Sequence, residues 1–167
     1  MPEGPEVKIV SDYLNKKLKQ KKITSFSYCS QPYKIKYGKV IKRLNSFTPL
    51  NFSNFFCIGK TSFLKLNKKN YFSFHLGMTG KWSSEKEKHT HFSIQTSDKS
   101  IIYFTDPRRF GNIKLIKSHD LKNNYFIYGD LLNNDTSIKE YSNYLIKNLN
   151  SSQEVCKILP NQKYFCG

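Results

Sequence analysis

Between residues 23 and 116 the chain breaks into short β-branched and aromatic runs separated by turn residues, and this pattern constrains the fold more than any other feature. The runs are Ile23–Tyr28, Val40–Phe47, Asn54–Ile58, Ser62–Leu66, Tyr71–Leu76, His91–Thr96, Ile101–Phe104 and Asn112–Ile116. Gly38-Lys39, Thr48-Pro49, Gly59-Lys60, Lys68-Lys69-Asn70 and Ser97-Asp98-Lys99 supply the breaks. Strands at this spacing build a sandwich or a barrel rather than alternating βαβ units. Several runs carry aromatics on both faces, which leaves sheet edges and register open.

Ahead of this region, residues 5–20 read as a helix. Val7, Val10, Leu14 and Leu18 form one apolar stripe. Pro5 and Glu6 stand at its start and Lys16, Lys17 and Lys19 towards its end, each with the sign the helix dipole favours. After Lys117 the chain turns polar and helical. Ile138, Tyr141, Leu145 and Leu149 make a second stripe, and Ser151 is a cap for a further helix through Leu159, which Pro160 ends. The expected class is α+β: an N-terminal helix with an antiparallel β-sandwich of about eight strands, then a partial helical segment. The expected division is 1–116 and 117–167.

The charge indicates a partner. With 28 Lys and Arg against 12 Asp and Glu, the formal net charge is +16, and a globular chain this basic usually meets a polyanion, most often nucleic acid. Hydrophobic residues at 38% and aromatics at 15% suffice for a core. No apolar run approaches 18 residues and the polar start is not a secretory signal, so neither a membrane span nor a signal peptide is expected. Cys29, Cys57, Cys156 and Cys166 contain no Cys-x-x-Cys, and His75, His89, His91 and His119 complete no metal-ligand spacing. No metal is expected, and reduced thiols fit a cytoplasmic or nuclear compartment. His89-Thr90-His91 has the residues to hold a metal, but a solvated turn leading into a strand is the preferred reading.

The first six residues, Met1-Pro2-Glu3-Gly4-Pro5-Glu6, admit two readings. In one, Pro5 opens a helix and the two Glu complement its dipole. In the other, removal of Met1 leaves a proline secondary amine, a nucleophile able to form a Schiff base. Its condensation product is an iminium, positively charged without a proton and therefore an electron sink. Glu3 and Glu6 then stand where protons move. The hexapeptide by itself favours the plainer reading.

Taken with four further stretches, the opening reverses that preference. Pro2-Glu3-Gly4-Pro5-Glu6-Val7, Ile58-Gly59-Lys60, His75-Leu76-Gly77-Met78-Thr79-Gly80 and Asp106-Pro107-Arg108-Arg109-Phe110-Gly111 occur in order, followed by Val155–Gly167. Together they resemble the formamidopyrimidine-DNA glycosylase / endonuclease VIII (Fpg/Nei) base-excision repair enzymes, the last run being similar to the approach to that family's helix–two-turn–helix (H2TH).

The resemblance implies roles residue by residue. Pro2 is the Schiff-base nucleophile, Glu3 a proton donor, Glu6 a holder of the N-terminal site and Lys60 a proton donor for β-elimination. Met78, Arg108 and Phe110 match a trio that fills the hole left by an extruded nucleotide, a step needed because chemistry on a base takes it out of the stack. His75 and Arg109 match residues that hold the DNA backbone, which positions without specifying sequence. The implied partner is damaged DNA, double- or single-stranded, bound by a monomer. No cofactor is implied.

Departures weaken the likeness at its end. Pro160 and Asn161 replace the leucine and aspartate more usual there, and the sequence ends at Gly167, before the rest of the H2TH and a finger. A truncated, catalytically weak or inactive family member acting as a DNA-binding module is therefore the alternative, and an RNA- or ribosome-associated basic β protein explains the charge but not the motifs. The opening hexapeptide and the Cys156–Phe165 run lean towards oxidised pyrimidines. Met78, Arg108 and Phe110 lean towards oxidised purines. The pyrimidine side is weighted slightly.

Overall fold

The computed structural model describes residues 2–124, 137–149, 152 and 154–158. Helix α1 (Gly4–Leu18) turns Val7, Leu14 and Leu18 inward, as the stripe requires, with Val10 half-buried. Two features outside the apolar pattern fix its position. The Asn15 side chain accepts from the Phe55 N–H at 2.6 Å and donates to the Phe55 carbonyl at 2.9 Å, and Ser11 meets Ser62 in the interior.

Among the described residues, nine antiparallel strands form two sheets. In chain order they are β1 (Lys22–Tyr28), β2 (Leu50–Asn51), β3 (Phe55–Ile58), β4 (Thr61–Lys65), β5 (Asn70–His75), β6 (Lys81–Ser83), β7 (Thr90–Thr96), β8 (Ile101–Thr105) and β9 (Asn112–Lys117). One sheet has the order β2-β1-β7-β8-β6 and the other β3-β4-β5-β9. The expected sandwich is present, with seven of its runs as strands and two short strands, β2 and β6, that the sequence pattern did not show.

The run Val40–Phe47 is not a strand. It forms the second half of helix α2 (Gln31–Asn45), whose Tyr33, Tyr37, Ile41 and Leu44 are buried. Those four positions recur at helical spacing, and Pro32 lies in the first turn. The β-branched Val40 and Ile41 made the segment look extended. Asn45 ties α2 to β1 as Asn15 ties α1 to β3, bonding both the N–H and the carbonyl of Phe26 at 2.8 Å.

The core is aromatic. Phe26, Phe55, Phe72, Phe74, Phe92, Phe104 and Trp82 interlock between the sheets, with centroid separations from 5.2 to 6.3 Å in tilted, stacked and edge contacts. Each such burial contributes roughly 1.5–3 kcal/mol. The residues that put aromatics on a second strand face form a separate cluster. Phe56 and Tyr71 pack around Ile58, Phe63, Ile116 and Leu121, and Leu121 belongs to helix α3 (Ser118–Asn124). The outer face of the four-stranded sheet is thus covered, which explains its apolar character.

Helix α4 (Ile138–Asn148) occurs where the second stripe is. Tyr141 and Leu145 are half-buried, but Ile138 is 84% exposed and drops out of that stripe. Of the helix expected over Ser151–Leu159, the described part is α5 (Val155–Ile158). Its Ser151 cap, Pro160 and the Asn161–Gly167 tail lie outside the described residues. No helix among the described residues is long and apolar enough to cross a membrane.

Candidate active site

The site starts at the N-terminus of α1. Glu3, in extended conformation, is the capping residue, Pro5 lies in the first turn, and the Glu6 carboxylate accepts the Glu3 N–H at 3.0 Å. That N–H belongs to the peptide bond joining Glu3 to Pro2, so Glu6 holds the backbone next to the half-buried Pro2. With α1 fixed by Asn15 and Ser11, the chain start sits on a rigid element.

Lys60 arrives from the other side. The register pairs Ile58 with Thr61, leaving Gly59-Lys60 as a two-residue hairpin loop. Gly59 has φ +54°, the conformation such loops require and glycine adopts freely. The Lys60 side chain is only 12% exposed, and its ammonium stands 3.1 Å from Oε1 of Glu3, which is 56% exposed. Thr61 is opposite His75 at the end of β5. Burial is the main cause pushing the His75 pKa down, and the Lys60 and Lys114 charges push it the same way. Its Nδ1 accepts the Gly77 N–H at 2.9 Å, which assigns the ring hydrogen to Nε2 and leaves a neutral donor there. Glu3, Lys60 and His75 thus form one cluster at the sandwich edge.

Next to it run the segments 76–80 and 106–111. Met78 is 40% exposed and Phe110 56%, and the Arg108 guanidinium carbon lies 4.7 Å from the Phe110 ring centroid. Apolar side chains held out at tight loop tips contribute nothing to a core and mark a contact surface. Arg109 follows in the left-handed region at φ +57°, a conformation uncommon outside glycine, asparagine and aspartate. The two segments touch closely: a Cβ on Gly77, at φ +67°, would lie 2.4 Å from the Gly111 nitrogen.

Three groups without a role in the sequence reading hold these tips. Asp106 is fully buried. Its Oδ1 accepts the Thr79 hydroxyl at 2.6 Å and its Oδ2 the Gly111 N–H at 2.7 Å. His91 is buried rather than solvated, although His89 before it is exposed as expected. Its ring nitrogens reach Ser30 Oγ at 2.8 Å and the Asp106 carbonyl at 3.1 Å, and it stacks on Tyr33 at 4.9 Å. The Tyr37 hydroxyl donates to the Gly111 carbonyl at 3.3 Å. Asp106 opens a motif already quoted, but a carboxylate preceding a proline reads first as a turn residue.

The Lys60–Glu3 pair next to Pro2 and the protruding Met78, Arg108 and Phe110 thus share one edge of the sandwich. A family model described as formamidopyrimidine-DNA glycosylase N-terminal domain matches residues 1–113, and the chain belongs to the Fpg/Nei family. It is 40% identical to a formamidopyrimidine-DNA glycosylase of Zymomonas mobilis over 56% of this chain and 36% of that relative. A Wolbachia pipientis relative of the same name is 27% identical over all of this chain and 62% of its own length. Among solved structures, Lactococcus lactis Fpg bound non-covalently to DNA containing an AP site has a TM-score of 0.73 at 21% identity, covering 99% of this chain and 64% of that one. MutM in complex with DNA containing carbocyclic 8-oxo-G gives 0.73 at 23%, covering 99% and 63%. At that identity the likeness is one of fold. The chain spans less than two thirds of the length of these relatives.

Proposed function

We propose that this protein is a bifunctional DNA glycosylase and abasic-site lyase of base-excision repair, working through the secondary amine of Pro2. The observation that carries this reading is the Lys60–Glu3 pair: the two proton-handling side chains implied by the resemblance stand 3.1 Å apart at the residue following Pro2. The Pro2 nitrogen attacks C1′ of the damaged nucleotide, the proton it sheds passes through Glu3 to the sugar ring oxygen as the ring opens, and the base departs with the bonding pair. The resulting iminium acidifies C2′. Loss of a C2′ proton expels the 3′ phosphate, Lys60 supplying a proton in this β-elimination, and δ-elimination expels the 5′ phosphate.

Met78, Arg108 and Phe110 fill the vacated stack, while His75 and Arg109 hold the backbone. The division into a catalytic part, 1–116, and a helical part, 117–167, belongs to the same proposal. The opening hexapeptide leans towards oxidised pyrimidines. Both the relatives named above are formamidopyrimidine-DNA glycosylases, which together with the exposed Met78–Arg108–Phe110 set favours oxidised and ring-opened purines. Duplexes with single lesions of each class test the reading. Strand cleavage with β,δ-elimination ends at one class supports it. Tight binding of damaged duplex without cleavage at any lesion replaces it with a DNA-binding module.

A further inference from the structure

We propose that Asp106 is a positioning residue that locks the two protruding segments into one unit, so that Met78 and the Arg108–Phe110 pair enter DNA together. This rests on the void-filling reading above and adds a residue to it.

The topology creates the need for such a lock. Residues 76–80 lead from β5 in the four-stranded sheet to β6 in the five-stranded one, and 106–111 return from β8 to β9. The two connections therefore cross the same sandwich edge side by side in opposite directions. The ladders that flank them end at His75↔Asn112 on one side and Lys81↔Thr105 on the other. Between those rungs no backbone hydrogen bond joins the two segments among the described residues. The connection is made by side chains: Asp106 closes its own segment by taking the Gly111 N–H on one oxygen and joins it to the other by taking the Thr79 hydroxyl on the second, and the Arg108 backbone nitrogen lies 3.4 Å from Thr79 Oγ1.

A buried carboxylate suits this task better than a neutral group. It offers two acceptor oxygens in a fixed fork, and hydrogen bonds to a charged acceptor are about twice as strong as neutral ones. A second bracket on the Asp106 carbonyl comes from His91, whose other nitrogen meets Ser30 at the start of α2. Gly77 and Gly111 let the two backbones approach more closely than side chains at these positions would allow. Met78 and Phe110 thus project from a single block, whereas independent loops would each pay ordering entropy on entering the duplex.

The test separates entry into a stack from chemistry at the sugar. Asp106→Asn replaces one acceptor oxygen with a donor, and Thr79→Val removes the hydroxyl from a half-buried position where folding is less at risk. Single-turnover cleavage of a duplex with one base lesion is expected to fall on the order of 10- to 100-fold in both, the scale of a misplaced functional group. Borohydride trapping on single-stranded abasic DNA, which has no stack to fill, is expected to stay within about two-fold, and Thr79→Ser to restore the duplex rate. Fluorescence of 2-aminopurine placed opposite a tetrahydrofuran abasic analogue, which has no C1′ oxygen and so cannot form the Schiff base, reports stack disruption without catalysis and is expected to rise with the unaltered protein but not with either variant. An equal loss on both DNA substrates, or an unchanged fluorescence response, overturns the proposal. If the unaltered protein is trapped on neither substrate yet still raises the fluorescence, the Pro2 chemistry fails while the role of Asp106 stands or falls on the fluorescence alone.

Discussion

The Lys60 ammonium lies 3.1 Å from Oε1 of Glu3, so the tip of the β3–β4 hairpin is held against the first turn of α1. The pair is asymmetric: the lysine is nearly enclosed and the carboxylate more than half open. An ion pair with one partner in water adds at most about 1 kcal/mol to stability. A proton donor correctly placed is worth roughly 10²- to 10⁴-fold in rate. Lys60→Met is therefore expected to leave the melting temperature within a few degrees of the parent and to slow elimination by about that factor. A large stability loss with unchanged elimination assigns the pair to the fold.

Arg109 and Met78 are expected to separate in their salt dependence. Each phosphate neutralised adds about 0.9 to the slope of log K against log salt on duplex DNA. Arg109→Ala is expected to make that slope shallower by about one, whereas Met78→Ala weakens binding with the slope unchanged. Titrations from 50 to 200 mM salt read both. Equal slopes for Arg109→Ala and the parent remove Arg109 from the backbone contacts.

Acid is expected to destabilise the fold through two histidines. Burial is the main cause holding both His75 and His91 below the ordinary value of 6.5. The unfolded chain binds these protons near 6.5 and the folded chain only at lower pH. Their contribution is therefore complete above 6.5 and is lost as pH falls through 6.5 towards the folded values. A proton on His75 Nδ1 would also face the Gly77 N–H that this atom accepts. Melting temperature is expected to fall from pH 7 to pH 5, less so in His75→Gln. A flat profile in the parent contradicts this.

Leu14→Ala tests how far the chain start depends on its helix. Leu14 is fully buried, and its truncation is expected to cost about 2–5 kcal/mol, measured by chemical denaturation. A change within 0.5 kcal/mol would show that α1 is not packed as described.

The parts of the fold legible in the sequence are those where one periodicity acts alone. Val7, Leu14 and Leu18 gave α1, and the strands from β3 to β5 and β7 to β9 followed their apolar runs within a residue or two. Helix α2 was missed because Val40 and Ile41 read as extended, while the stripe Tyr33, Tyr37, Ile41 and Leu44 relies on tyrosines, which fit both patterns. Strands β2 and β6, at two and three residues, are too short to show alternation. In the site, exposed Met78 and Phe110 were legible through their flanking glycines. Asp106, Asn15 and His91 were not, because polar residues are buried only by partners far away in sequence: Thr79 and Gly111 for Asp106, Phe55 for Asn15, and Ser30 and Asp106 for His91.

The central claim is that the Pro2 nitrogen is the nucleophile. The most direct measurement is borohydride trapping on abasic DNA, comparing protein whose Met1 has been removed with protein that keeps a residue in front of Pro2. A covalent adduct with the first, mapped to Pro2 by peptide mass, and none with the second is the expected result. Equal adduct in both, or none with a free Pro2, contradicts it.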